Sequence, residues 1–382
     1  MRKRPTADVW FDREISLELL RALKPEGPFH SIIERRNHDI RAADPGRPPM
    51  LDVQLRKIGG RSWTSLYVGL TAVLNVEERD GRQRGRQFKL SAHPAYRDLG
   101  FHDSWGKWQE RDELAKSWRH VEKYLDQVIR TVSTSHLQHT DKEGRGRKGG
   151  WVHKEGWVHA EVCSGKAASY RVVNREASPA FKDQDVKKTI CDPLEKAITS
   201  ALKPGPTPEA WWPGVRNHGK HKRLGTNPDV LAVDQDGRIL VIEIKPCSAL
   251  EGITRGPAQV RFYAELIAEW WRQDPEVARK SIKAMLRQRI YLSLTADGSL
   301  DFGSSSRVVP VLAIGPERTR SQVVPKAEKS SPRALDRAAK VARALDRQPP
   351  NSPLIDPLEI WLLDESGERV GAPIVPTRSE NP

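Results

Sequence analysis

Cysteine is scarce in this sequence, and its three copies are spread out. Cys163, Cys191 and Cys247 are odd in number, and no two of them form a Cys-x-x-Cys pair. Such a set fits neither a disulfide framework nor a compact zinc knuckle. Reduced thiols are typical of cytosolic proteins, so we expect a cytoplasmic protein without disulfides.

The sequence also lacks long hydrophobic runs. No apolar stretch approaches the roughly 20 residues that a membrane-spanning helix needs. The charged start Met-Arg-Lys-Arg-Pro has no apolar core behind it, which argues against a secretory signal. A phosphate loop of the form Gly-x-x-x-x-Gly-Lys-Ser/Thr is missing as well. We therefore expect no membrane partner and no ATP-driven motor within this chain.

Positive charge is what the sequence has in excess. Lysine and arginine outnumber the acids by 64 to 50, which gives the chain a net charge of +14. Such a balance favours a polyanionic partner, and nucleic acid is the simplest candidate; the alternative is a generally basic protein. The 382 residues are enough for two domains.

Residues 227–245 form the most informative stretch and predict a β-hairpin. Two apolar runs flank Asp236-Gly237, and the glycine can adopt the positive φ that a tight turn needs. A three-residue loop pairs Asp234 with Arg238, and this register places Asp229 opposite Glu243.

The polar residues of this hairpin predict a metal site. Side chains alternate along a strand, so Glu243 and Lys245 share one face while Ile242 and Ile244 point into the core. Two carboxylates on paired positions repel each other unless a positive charge lies between them. Mg²⁺ prefers carboxylate, water and phosphate oxygens, which suits attack on a phosphodiester. The alternative is an ordinary surface hairpin with one wet face.

These residues resemble a known enzyme family. Pro228-Asp229 followed by Glu243-Ile244-Lys245 resembles the PD-(D/E)xK nuclease superfamily. Gln259 and Tyr263, four residues apart after the hairpin, resemble the Gln-x-x-x-Tyr pattern of its RecB-like branch. The resemblance covers about residues 185–315, and we draw nothing from it about the first half of the chain.

The resemblance implies an α/β (α+β) fold whose nuclease domain has an αβββαβ core with a mixed sheet. It implies Mg²⁺ or Mn²⁺ as cofactor, with the metal ligands Asp229, Glu243, the carbonyl of Ile244, and Glu195. Glu195 has a second interpretation as a capping-box glutamate. Lys245 would orient or deprotonate the attacking water, and Gln259 and Tyr263 would position the lysine or the scissile phosphate.

The function that this resemblance implies is endonucleolytic cutting of DNA in prokaryotic defence or DNA repair. Two alternatives stay open: a nucleic-acid-binding protein that keeps the nuclease fold without activity, and an RNA-directed nuclease. Basic residues that would contact the nucleic-acid backbone are Arg82, Arg84, Arg86, Arg216, His218, Lys220, Lys222 and Arg223. The alternative for both basic segments is simple solvation.

The periodicity of apolar residues and the positions of proline- and glycine-rich segments divide the chain further. We expect an N-terminal α+β module at 1–178, which would contact nucleic acid, a signal or a protein activator. We expect a nuclease domain at 179–315 to follow it, then a linker at 316–332, a helix–strand extension at 333–372 and a disordered tail at 373–382. The oligomeric state stays open. The patterns predict helices at 10–23, 108–132, 192–202, 277–290 and 334–345, and one starting at Pro257. They predict strands at 66–76, 157–163, 308–314 and 358–363. In the strand at 157–163, His159, Glu161 and Cys163 would share a polar face.

Overall fold

The computed structural model describes residues 7–11, 13–37, 51–58, 60–81, 85–135, 154–163, 167, 169–202, 224–225, 227–247, 249–296, 307–318, 323–324, 332–346, 350–364 and 367–375. The fold is α+β, as predicted. Its helices are α1 (Leu17–Leu23), α2 (Ser31–Asn37), α3 (Arg111–Lys116), α4 (Trp118–Ser135), α5 (Lys154–Val162), α6 (Gln184–Ala201), α7 (Leu250–Gln273), α8 (Pro275–Tyr291) and α9 (Pro332–Asp346).

Its strands are β1 (Val9–Trp10), β2 (Leu51–Ile58), β3 (Arg61–Val68), β4 (Thr71–Asp80), β5 (Arg86–Ala92), β6 (Gln109–Glu110), β7 (Tyr170–Arg175), β8 (Ala180–Phe181), β9 (Val230–Asp234), β10 (Ile239–Pro246), β11 (Val308–Gly315), β12 (Glu317–Arg318), β13 (Val323–Val324) and β14 (Glu359–Leu362). Among the described residues, no helix is both long and apolar enough to cross a membrane.

The first sheet is an antiparallel meander in the order β2-β3-β4-β5-β6. The single strand predicted at 66–76 is wrong, because the chain turns at Gly69, whose φ is +58°, and returns as β4. Val68 pairs with Thr71, and a bulge at Leu66/Tyr67 brings Leu66 opposite Leu74. The alternation of apolar residues therefore continues through the turn, so the sequence pattern does not indicate a turn at this point.

The second sheet is mixed, in the order β14-β11-β10-β9-β7. The pairs β9–β10 and β7–β9 are antiparallel, whereas β10–β11 and β11–β14 are parallel. Both faces are covered: Val241 packs with Phe262 of α7 on one side, and Ile242 packs with Val158 of α5 on the other. Burial on two faces explains the continuous apolar run in β10.

The order of elements around this sheet differs from the prediction. The helix predicted at 192–202 belongs to α6, which lies between β7 and β9 instead of ahead of the three strands. The helix that precedes them is α5. The described elements α5, β7, β9, β10, α7 and β11 follow one another as helix, three strands, helix and strand, with α6 inserted after β7 and α8 before β11.

Helix α5 replaces the strand predicted at 157–163, and that prediction is wrong. Val158, Ala160 and Val162 are buried, but so are His159 and Glu161 between them. A helix that is buried on most sides has no polar stripe. A short alternation of residue types therefore does not distinguish this helix from a strand.

Several predicted helix starts are also wrong, and in α1 and α6 a different capping residue sets the start. Helix α1 begins at Leu17, where the amide of Leu19 donates to Oγ of Ser16 at 3.0 Å. Helix α6 begins at Gln184 behind the cap Asp183, which leaves Pro193 inside the helix. Helix α7 begins at Leu250 and holds Pro257 inside it. The pattern at 108–132 is split at Ser117 into α3 and α4.

The second sheet draws strands from several predicted units. Strand β7 precedes the predicted boundary at residue 178, and β14 comes from the predicted extension at 333–372, where it completes the sheet beside β11. The predicted linker contains β12 and β13, which pair with each other. Ile374 of the predicted tail bridges to Ile360, and residues 376–382 lie outside the described part of the chain.

Candidate active site

The predicted hairpin is confirmed with its register. Ile239 pairs with Val233 and Ile242 with Val230, so Asp229 comes opposite Glu243 at the open end. The amide of Asp234 donates to the carbonyl of Arg238 at 3.1 Å, and Gly237 adopts a φ of +75°. This turn fixes the register and with it the positions of the two acids.

Asp229 is held from three directions. Its Oδ2 accepts a hydrogen bond from the amide of Ile244 at 2.7 Å, and it lies 3.9 Å from Nζ of Lys245. Nε2 of His159 lies 3.5 Å from the same oxygen. The carboxylate thus has a defined position before any ligand arrives.

Lys245 lies between the two acids. Its Nζ is 2.8 Å from Oε1 of Glu243, and Glu243 is only 3% exposed. Carboxylates on paired positions of an antiparallel ladder repel each other, and the lysine supplies the positive charge that offsets this repulsion. Asp229, Glu243 and Lys245 therefore converge as the sequence predicted.

The electrostatics of the site keep Asp229 charged and Tyr263 neutral. Burial raises the pKa of Asp229, but the His159 imidazole, the Lys245 ammonium and the Ile244 amide outweigh it, so the pKa lies below its ordinary value. For Tyr263, burial raises the pKa, and the charges of Glu243 and Asp229 raise it further. The phenol of Tyr263 therefore stays protonated and acts as a hydrogen-bond donor.

His159 lies beside Asp229, although the sequence predicts it only on the polar face of a strand. It lies on α5 and is 2% exposed, and within the described residues the 3.5 Å contact of its Nε2 with Oδ2 of Asp229 is an ion pair without hydrogen-bond geometry. It is far from Asp229 in sequence, and no spacing rule links the two. The pattern at 157–163 predicts a strand, and no signal in the sequence places this imidazole beside the hairpin.

Glu195, Gln259 and Tyr263 meet at Leu224. Oε1 of Glu195 accepts from the amide of Leu224 at 2.8 Å, while Nε2 of Gln259 and the hydroxyl of Tyr263 each donate to its carbonyl at 3.2 Å. The three side chains thus fix the segment that leads to Asp229. Because α6 begins at Gln184, the capping-box interpretation of Glu195 is wrong.

Most of the predicted nucleic-acid contacts lie outside the described residues. These are Arg82, Arg84, Arg216, His218, Lys220, Lys222 and Arg223. Arg86 is described, and its Nη1 lies 3.0 Å from Oε1 of Glu78 and 3.0 Å from Oδ1 of Asp80. Its Nε also lies 3.8 Å from Oε2 of Glu18. Acidic side chains therefore surround its charge, and its contact with nucleic acid stays a prediction.

The donor types at the site suit a divalent cation. Within the described ranges, no three His, Cys, Asp or Glu side chains form a ready-made metal cluster. Mg²⁺ binds through as few as one or two carboxylates and completes its shell with water and phosphate, which Asp229 and Glu243 can supply. The residues present therefore fit the predicted cofactor.

Gly252 has no side chain, and Lys245 occupies the space beside it. A side chain at position 252 should therefore displace the lysine. A Cβ at position 252 would lie 2.8 Å from Cδ of Lys245. We expect Gly252→Ala to displace the lysine, and a displacement of roughly 1 Å slows a reaction that depends on the displaced group by about 10²-fold. Because alanine favours a helix over glycine, the urea midpoint of unfolding should not fall.

Gly256 on the same helix is the matched control. A Cβ there would lie within 2.4 Å of Cδ1 of Leu312, a fully buried side chain. We expect Gly256→Ala to lower the free energy of unfolding by about 1–3 kcal/mol through overpacking. Full activity in Gly252→Ala would contradict the position assigned to Lys245.

We compared the chain with protein-family models, with curated proteins and with solved structures, and none of the three comparisons found a match. The function is therefore argued from the chemistry of the site itself.

Proposed function

We propose that this chain is a metal-dependent nuclease that hydrolyses phosphodiester bonds, with DNA as the preferred substrate. The observation that supports the proposal is the convergence of Asp229, Glu243 and Lys245 at the open end of one hairpin, with Nζ of Lys245 2.8 Å from Glu243 and 3.9 Å from Asp229. Two acids and one lysine at a strand end suit phosphoryl chemistry, which needs both a cation site and a fixed positive charge.

Asp229 and Glu243 would hold Mg²⁺ or Mn²⁺, together with the carbonyl of Ile244. When bound, such an ion lowers the pKa of water and neutralises charge that develops on the phosphoryl oxygens. Glu195 is left out of this ligand set, because its Oε1 accepts the amide of Leu224. We assign it to positioning the segment before Asp229.

Lys245 would orient the attacking water and place a positive charge beside the scissile phosphate. Its ammonium is restrained by Glu243 at 2.8 Å, so little reorganisation is needed when substrate binds. Gln259 and the protonated Tyr263 act through Leu224, since both donate to its carbonyl. They would thereby keep Asp229 in register with Glu243.

The net charge of +14 supports a polyanionic substrate. The order of α5, β7, β9, β10, α7 and β11 supports the proposed relation to the PD-(D/E)xK superfamily. A role in prokaryotic defence or DNA repair, in the cytoplasm, is proposed by association with that superfamily. The alternative function is nucleic-acid binding without cleavage.

The experiment that tests the function incubates the purified chain with supercoiled plasmid, linear duplex, single-stranded DNA and RNA in Mg²⁺ or Mn²⁺. We expect cleavage that EDTA abolishes, with DNA cut faster than RNA. Binding that EDTA leaves unchanged, with no cleavage of any substrate in either metal, would support the non-catalytic alternative.

A further inference from the structure

Glu176, directly after β7, connects the first sheet to the candidate active site. Its φ is +46°, in the left-handed region that glutamate rarely adopts. In this conformation its amide donates to the main-chain carbonyl of Asp229 at 2.7 Å. The backbone that carries the Asp229 carboxylate is therefore held by a residue in an uncommon conformation.

The side chain of Glu176 is held by the first sheet. Nη2 of Arg56, on β2, donates to Oε2 of Glu176 at 2.5 Å. Both side chains are partly exposed, at 24% and 29%, so they lie at the rim of the interface between the sheets. The pair is charge-assisted and attaches the glutamate side chain to β2.

The rest of this interface is buried and polar, which fixes β2 against β7. Nδ2 of Asn174 donates to the carbonyl of Leu55 at 3.2 Å, and Nη1 of Arg175 lies 3.2 Å from Oδ2 of Asp52. Asn174 and Arg175 at the end of β7, and Glu176 directly after it, therefore all contact β2. Arg56 follows Leu55 directly on β2, so a movement of β2 would also move the arginine that pairs with Glu176.

Resting on the proposed function, we propose that Glu176 is a positioning residue that couples the first sheet to Asp229. Arg56 holds Glu176 in its left-handed conformation, and the Glu176 amide holds Asp229. Asp229 in turn accepts the amide of Ile244 at 2.7 Å and so stays beside Glu243 and Lys245. A ligand or partner that displaces β2 would change the activity of the site through this chain of contacts.

The test compares Arg56→Gln, Glu176→Gly and the double variant by hydrogen–deuterium exchange and cleavage. We expect Arg56→Gln to speed exchange by about tenfold at the amides of Glu176 and Ile244, as local opening becomes easier, and to slow cleavage by about tenfold. Glycine adopts a positive φ without strain, so Glu176→Gly should keep the Asp229 hydrogen bond. Adding Arg56→Gln to it should then have no further effect.

The matched control is Arg307→Gln, which removes an arginine 2.7 Å from Asp356 at the opposite end of β10. It should leave exchange at both amides and cleavage unchanged. Unchanged exchange at Glu176 and Ile244 in Arg56→Gln, or equal effects of both arginine variants, would overturn the proposal. If the wild-type chain cleaves no substrate, the proposed nuclease function fails, and the exchange comparison alone decides whether Arg56 restrains Asp229.

Discussion

Replacing Lys245 by methionine should abolish cleavage while leaving nucleic-acid binding largely intact. Methionine keeps most of the side chain's length but removes the ammonium that lies between Asp229 and Glu243. We expect the cleavage rate to fall by about 10²–10⁴-fold, the range for losing a positioned acid–base group. The measurement is the initial rate of nicking of a supercoiled plasmid in Mg²⁺ and in Mn²⁺.

The stability of this variant should respond to metal. Without a cation, Asp229 and Glu243 lose the charge that offsets their repulsion, so the urea midpoint should fall. A divalent ion that binds the folded state should raise the midpoint again, in proportion to the logarithm of its concentration. Lys89→Met is the matched control, because Lys89 pairs with Glu77 at 3.1 Å on the first sheet. Cleavage by Lys245→Met at the wild-type rate would remove the lysine from the mechanism.

Replacing Asp52 by asparagine should be the most destabilising isosteric change in the first sheet. Arg175 is fully buried, with Nη1 3.2 Å from Asp52 and Nη2 2.8 Å from the carbonyl of Gly69. Its guanidinium also lies 4.4 Å from the ring of Tyr67. Removing the carboxylate leaves an uncompensated buried charge, so we expect the free energy of unfolding to fall by about 3–5 kcal/mol.

Two further variants test the cause of this loss by urea unfolding. Asp52→Asn combined with Arg175→Met should cost less than the sum of the single changes, because no unpaired charge is left. Asp336→Asn breaks an exposed pair with Lys340 and should change stability by less than about 0.5 kcal/mol. If Asp52→Asn were no worse than this exposed control, the buried pair would not join the two sheets as described.

The hairpin that carries the candidate site was predictable because its information is local. Two apolar runs and an Asp-Gly turn fix the register, and the register brings Asp229 opposite Glu243. Helix α8 and strand β11 were predictable for the same reason, since their patterns are long and their ends are marked by Asp274-Pro275 and by the final glycine.

What could not be predicted depends on contacts between distant residues. Packing places His159 beside Asp229, β7 in the second sheet and Arg56 against Glu176. Such packing produces no periodic pattern in the sequence. Pro193 and Pro257 predict helix starts, but α6 and α7 begin upstream of them and continue through both prolines. Proline is usually unfavourable at such interior positions. Long-range burial overrode the local signal in each case.

The most direct test of the central claim is relaxation of a supercoiled plasmid by the wild-type chain and by Glu243→Gln, side by side. Glutamine keeps the shape of the side chain but loses the charge that a divalent ion and Lys245 both require. The account predicts nicking by the wild type in Mg²⁺ or Mn²⁺, none in EDTA, and a loss of about 10²-fold or more in the variant. Equal nicking by both proteins would place the active site elsewhere and contradict the account.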